Sequence, residues 1–260
     1  MCRHLAYLGP PTALAELLLS PPHSLLRQSW APTDMRKGGT INADGFGIGW
    51  YPEPGRPVRY RRATPMWSDE NLPGLAGVTH STALLAAIRS ATVGMPVVDT
   101  ASMPFAEGRW LFSHNGVIAG WPGSVADLAA RLPVTDLMTL DAPTDAALLW
   151  ALVRHRLRAG TAPEVAVAEV VTTVAALAPG SRLNLLLTGG DTLVATTWWH
   201  SLSVLHDGER TVIASEPYDT DPAWTPVADR QLLLATRTGL TQYALERGSP
   251  VGARGQDADV

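Results

Sequence analysis

The chain has 260 residues, 46% of them hydrophobic and 17% charged, and its 24 acidic against 20 basic side chains give a formal charge of -4. This composition fits a globular protein with a sizeable core and excludes disorder as its main state. The acidic balance argues against an electrostatic grip on nucleic acid, so no nucleic-acid partner is expected.

The opening stretch is apolar over a helical length, but Pro10, Pro11, Pro21 and Pro22 bracket it and Glu16 interrupts it. It falls short of the roughly 20 residues of a membrane span, and no small-residue cleavage site marks it as a signal peptide. No other segment is long and apolar enough to cross a bilayer. A cytoplasmic protein with no membrane partner is therefore expected.

Short strands bounded by Gly, Pro or polar turns are predicted at 3–8, 46–51, 84–89 and 109–113. Ser124, with Asp127 three residues on, has the pattern of a capping box and predicts a short helix to Arg131. Thr144 predicts the N-cap of a helix running to about Arg158. Pro163 suits the first turn of the next helix, over 164–177, which Pro179-Gly180 ends. Strands then dominate, at 182–188, 192–199, 203–206, 211–215 and 230–235. The turns Gly189-Gly190-Asp191 and Asp207-Gly208-Glu209 between them predict an antiparallel meander. No repeat or Gly/Ser linker divides the chain, so one domain is expected over 2–247. Residues 248–260 lack apolar periodicity and are expected to form a disordered tail.

Cys2 is the one cysteine, so no internal disulfide can form and secretion has no support from thiol chemistry. Removal of an initiator Met is allowed before a residue as small as cysteine, and would leave Cys2 with a free amine. An α-amine has a pKa of about 7.7 to 8.0 and is a usable base near neutral pH. One residue's width from a thiol, it can take the thiol proton directly or through one water. The plain alternative is a cysteine that merely follows the start.

The run Arg109-Trp-Leu-Phe-Ser-His-Asn-Gly116 predicts an apolar strand ending in a His-Asn-Gly turn. Asn115 offers a side-chain N–H and Gly116 a backbone N–H, two donors able to converge on an oxygen gaining negative charge. Asn-Gly is equally the composition of a simple tight turn. Arg89 ends an apolar strand, where a planar guanidinium either receives a carboxylate or reaches into solvent. Asp145, just after Thr144, either binds an ammonium or serves only the helix dipole. The seven histidines are scattered without a close Cys or carboxylate pattern, so neither a metal nor another cofactor is expected.

Cys2, Asn42-Ala-Asp-Gly-Phe-Gly-Ile-Gly-Trp50, Arg89-Ser-Ala-Thr-Val-Gly94, His114-Asn-Gly116 and Thr144-Asp145 follow the order and approximate spacing of the class II glutamine amidotransferases. The chain resembles that family from residue 2 to about 247. The resemblance implies an α+β fold of the N-terminal nucleophile hydrolases, a four-layer αββα sandwich of two antiparallel sheets flanked by helices. It implies that Cys2 is the nucleophile and, through its amine, base and acid. It further implies Asn115 and Gly116 as the oxyanion hole, Arg89 for the α-carboxylate of a glutamyl group, Asp145 for its α-ammonium, and Thr92 framing that pocket. Many members have a His-Thr-Arg-Trp run where this chain reads Ala87-Ile-Arg89-Ser90, so the arginine is kept while its neighbours differ.

Within the family, Met1-Cys-Arg-His-Leu5, Arg89-Ser-Ala-Thr-Val-Gly-Met-Pro96, His114-Asn-Gly-Val117, Arg182-Leu-Asn184, Ala195-Thr-Thr-Trp198 and Ala214-Ser-Glu-Pro-Tyr-Asp219 resemble a stand-alone branch of ergothioneine biosynthesis. That branch hydrolyses the γ-glutamyl amide of γ-glutamyl hercynylcysteine sulfoxide to glutamate and hercynylcysteine sulfoxide. The chain ends soon after the glutaminase-like portion, so a small-molecule γ-glutamyl substrate and no obligatory synthase partner are expected. Nine tryptophans against three phenylalanines allow a trimethylammonium to rest on an indole face, although a tryptophan serves equally as core, and none is singled out. A general glutaminase, an ammonia-donating subunit and a catalytically silent regulatory relative are the alternatives.

Overall fold

A computed structural model describes residues 2–36, 41–237 and 239–245. Strand β1 (Arg3–Ala13) leads into short helices α1 (Leu14–Leu18) and α2 (Leu25–Gln28). β2 (Phe46–Glu53), β3 (Arg56–Arg62), α3 (Leu72–Val78) and β4 (His80–Ile88) follow. The middle of the chain forms β5 (Phe105–Glu107), β6 (Trp110–Val117), the short α4 (Ala126–Ala129) and α5 (Val134–Met138), and two long helices, α6 (Asp145–Arg158) and α7 (Pro163–Leu177). The last third is β7 (Arg182–Thr188), β8 (Thr192–Thr196), β9 (Ser203–His206), β10 (Thr211–Ala214), β11 (Trp224–Pro226), β12 (Gln231–Thr236) and β13 (Gly239–Ala244).

These strands make two antiparallel sheets, one in the order β11-β9-β10-β1-β4-β2-β3 and the other β13-β12-β8-β7-β6-β5. Strand alternation sorts the side chains into three apolar layers. Ala6 and Leu8 of β1 meet Leu111, Leu186, Leu193 and Leu233 between the sheets. Leu5 and Tyr7 point the other way, onto Leu14, Leu17 and Leu18 of α1 and Leu72 and Ala76 of α3. On the far side Phe112, Leu183, Leu185 and Leu187 pack against α6 and α7, with Trp150 stacked on Phe112 at 5.4 Å. Each such side chain contributes about 1.5–3 kcal/mol on burial. The order helix, sheet, sheet, helix is the expected four-layer αββα sandwich.

Helices α6 and α7 form where predicted. The Thr144 hydroxyl caps α6 by accepting the Ala147 N–H, Asp145 lies at its positive end, and His155, Arg156 and Arg158 lie at its negative end. Pro163 opens α7. The Ser124 capping box does not form: its hydroxyl donates to the Ala119 carbonyl, and α4 is a four-residue turn without a side-chain cap. Nor is the last third one meander. β7 and β8 belong to one sheet, β9 and β10 cross to the other, and β12 returns to pair with β8. β8 stops at Thr196, before the tryptophans, so that 197–202 can make that crossing. β3 is missing from the prediction because RPVRYRR is an edge strand with arginines on both faces and little apolar alternation. The tail expected at 248–260 lies outside the described residues. No helix among the described residues is long and apolar enough to cross a membrane.

Candidate active site

Three strand ends and one helix start meet at a cleft. Arg3 of β1 is registered with Ile88 of β4, so Cys2, one residue before β1, lies beside the chain leaving β4, and its thiol points to the Ser90 carbonyl at 3.7 Å. Cys2, Arg89, Thr92, His114, Gly116 and Asp145 all line this cleft, which encloses about 340 Å3 counted out to its open mouth. Five of the six expected site residues are thus brought together, across 143 positions of sequence from 2 to 145.

Each is held by local structure. The Arg89 N–H donates to the Gly45 carbonyl at 2.8 Å, and its Nη1 donates to the Pro96 carbonyl at 2.8 Å, which ties down the loop carrying Thr92. Among the described residues the other guanidinium nitrogens make no hydrogen bond, which leaves them available to an anion in the cleft. Asp145 is the first residue of α6, where its Oδ1 accepts the Ala146 N–H at 2.8 Å and its Oδ2 accepts the Ile118 N–H at 2.9 Å. The buried Asp145 and Arg89 both line the cleft, so an anion and a cation share the same small space.

The His-Asn-Gly run is not a turn. β6 continues through it, pairing Asn115 with Asn184 and Gly116 with Leu183 of β7. Glycine is needed for a close approach: a Cβ at 116 would lie 1.8 Å from the Arg182 carbonyl oxygen. Because side chains alternate along a strand, His114 and Gly116 line the cleft while Asn115 points between the sheets. There its Nδ2 donates to the Ser215 hydroxyl at 3.3 Å, and its buried Oδ1 has no partner. That bond uses one of the two Nδ2 hydrogens.

Residues without a predicted role fix the strand that follows Cys2. Arg3 donates through Nε to Glu216 at 2.7 Å, through Nη1 to the Cys2 carbonyl at 3.1 Å, and through Nη2 to the Asp34 carbonyl. The second Glu216 oxygen accepts from the Thr33 N–H and hydroxyl and meets His23 Nε2 at 2.7 Å. Burial opposes the Glu216 charge, but the hydrogen bonds from His23 and Thr33 and the Arg3 guanidinium outweigh it and pull the carboxyl down to about 2. Ser215 is bonded to β1 as well: its hydroxyl accepts the His4 N–H at 3.0 Å. In the sequence, a Ser-Glu pair after an apolar strand is not distinctive, and no spacing rule points to it.

Around this lie His4, His114 and His200. Burial pushes all three below the usual histidine range, His200 to about 3; repulsion from His114, His200 and Arg3 adds to the effect on His4, and repulsion from Arg182, Arg3 and His114 to that on His200. For His114 the Asp145 carboxylate pulls the other way without prevailing. The imidazoles are therefore neutral at physiological pH. Among the described residues no three His, Cys, Asp or Glu side chains gather as metal ligands.

Comparison with known proteins bears on this cleft. The family model for class-II glutamine amidotransferases matches residues 24–207. A γ-glutamyl-hercynylcysteine sulfoxide hydrolase of Mycolicibacterium smegmatis is 42% identical over 233 residues, covering 90% of this chain and 95% of that one. A protein of the same name from Mycobacterium tuberculosis is 40% identical over 248 residues, covering 95% and 98%. The solved structure of a glutamine aminotransferase class-II domain protein from Silicibacter pomeroyi superposes with a TM-score of 0.67 at 24% identity, over 94% of this chain and all of the other, and shares the fold.

Proposed function

The chain belongs to the class II glutamine amidotransferases, and within that family we propose that it hydrolyses the γ-glutamyl amide of γ-glutamyl hercynylcysteine sulfoxide, releasing glutamate and hercynylcysteine sulfoxide. The observation that carries this reading is the cleft in which a thiol at the second residue shares walls with Arg89 and Asp145. A glutamyl head carries one carboxylate and one ammonium on a single carbon, and a guanidinium and a carboxylate lining one cleft are their complements. The choice of leaving group rests on the two mycobacterial relatives.

In this mechanism removal of Met1 frees the Cys2 amine, which takes the thiol proton as the sulfur attacks the γ-carbonyl. The carbonyl oxygen becomes an oxyanion facing the Gly116 N–H and the second Nδ2 hydrogen of Asn115. The tetrahedral carbon collapses, the C–N bond breaks, and the ammonium passes its proton to the leaving amine. Water then attacks the thioester, with the amine again as base, to give glutamate and the free thiol. Arg89 and Asp145 hold the head of the substrate through both steps, and Thr92 frames it. The buried neutral histidines hold structure and take no proton in this scheme. The reaction is placed in the cytoplasm, where a lone thiol stays reduced. No synthase partner is required, because water accepts the glutamyl group and the leaving amine is released to solvent.

Side-by-side assays of the sulfoxide and of glutamine test the assignment. The sulfoxide is expected to be cleaved faster, and Cys2→Ala to abolish both reactions while the circular dichroism spectrum stays that of the parent. A glutamine rate equal to or above the sulfoxide rate moves the chain to a general glutaminase. Full turnover in Cys2→Ala removes the nucleophile from the mechanism.

A further inference from the structure

Close to Gly116 in the fold lies an arginine whose charge meets a tryptophan ring and, among the described residues, no carboxylate. Arg182 opens β7 opposite Val117 of β6, and its carbonyl packs against Gly116 of the cleft wall. Alternation along β7 puts Leu183, Leu185 and Leu187 on the helix side, so Arg182 and Asn184 share the face that looks between the sheets, the face of Asn115. The Arg182 guanidinium lies over the Trp199 ring, 5.4 Å from its centre. Among the described residues no carboxylate pairs with it, and its buried Nε has no hydrogen-bond partner. A buried guanidinium N–H without an acceptor is costly, and an acceptor brought by a ligand is one way to satisfy it.

The surroundings fit that role. Trp199 sits at a φ of 86°, a conformation that costs a non-glycine residue about 1–3 kcal/mol and persists where neighbours enforce it. Here its N–H donates to Asp229 at 2.6 Å and its carbonyl accepts from Arg36 at 3.1 Å. Asp229 is engaged by that N–H, and Asp34 pairs with Arg36 at 3.2 Å. His200 meets the Trp199 ring edge-on at 5.2 Å and is neutral, so it adds no charge beside the Arg182 guanidinium.

We propose that Arg182, stacked on Trp199, binds the carboxylate of an amino-acid leaving group and so selects γ-glutamyl amides of α-amino acids over those of simple amines. The stack holds the planar fork in one orientation and leaves its edge for a two-pronged contact that ammonia or an alkylamine cannot make. The inference deepens the reaction proposed above and rests on it.

The test uses two substrates that differ in one group, γ-glutamyl-S-methylcysteine sulfoxide and its carboxamide. The parent enzyme is expected to favour the carboxylate by about 10-fold to 100-fold in kcat/KM, the usual range for a charge-assisted contact, and Arg182→Gln to bring that ratio near 1. A parent ratio near 1, or an unchanged ratio in Arg182→Gln, overturns the assignment. Should the glutamine variant not fold, Arg182→Lys keeps the charge and stem but loses the fork; an intermediate ratio supports the proposal and a parental ratio overturns it. If the parent cleaves neither compound the hydrolase reading fails and takes the subsite with it, whereas equal cleavage of both fails the subsite alone.

Discussion

Glu216→Gln removes one charge and little else from the knot that holds Arg3 next to Cys2. The side chain is 2% exposed and so is its partner Arg3, so solvent does little to screen the change. The fall of the carboxyl from its ordinary 4.5 to about 2 measures the preference of the fold for the charged form. Converted at about 1.36 kcal/mol per unit, that preference is about 3 kcal/mol at pH 7. Because the folded value lies below the unfolded one, the stabilisation is fully present above pH 4.5 and is lost as pH falls toward 2. About 1.4 kcal/mol of it remains at pH 3. For a chain of this size about 3 kcal/mol corresponds to a fall in Tm of roughly 6–12 °C. Thermal unfolding followed by circular dichroism at pH 7, 5, 4 and 3 should show that gap between parent and variant at pH 7 and 5, narrowing at the two lower values. A gap under about 2 °C at pH 7, or one that stays constant to pH 3, refutes the account of the knot.

Two further substitutions address β6. Asn115→Ala should lower the acylation rate by about 100-fold to 1000-fold with a smaller change in ground-state binding, as read by rapid quench with a chromogenic γ-glutamyl amide. A variant that only melts earlier and keeps its specific activity makes Asn115 a packing residue between the sheets. Gly116→Ala must push β7 away from β6, since the new Cβ meets a backbone oxygen rather than a movable side chain. It should cost about 2–3 kcal/mol, and an unchanged Tm would show that the strand pair relaxes without penalty.

The sequence makes the scaffold of this site legible wherever a signal is local. Thr144 and Pro163 mark their helices because a cap and a first-turn proline act within a few residues. Arg89, Asp145 and Cys2 are legible by family order, and the cleft they share follows from the β1–β4 register and the start of α6. The His-Asn-Gly run reads as a turn because the reason for its glycine, the Arg182 carbonyl, lies 66 positions away in sequence and on another strand. The same holds for the crossing of 197–202 between sheets and for the Arg3–Glu216 pair, whose partners are 213 positions apart. Local pattern carries periodicity and capping; it carries no information on which distant atom fills a position.

The pairing of β1 also sets a schedule. Leu5 is registered with Ala86 on one side and with Ala214 on the other. On a chain growing at about 5–20 residues per second, the second neighbour is synthesised roughly 10–40 s after the first five residues. Glu216, which anchors Arg3, comes later still. Throughout that interval the amino end hangs from a half-finished sheet, and trimming of an initiator methionine meets an accessible substrate. The Arg3–Glu216 contact that secures this end therefore becomes possible only when nearly the whole chain has been made, which leaves the proposed removal of Met1 the whole of that interval.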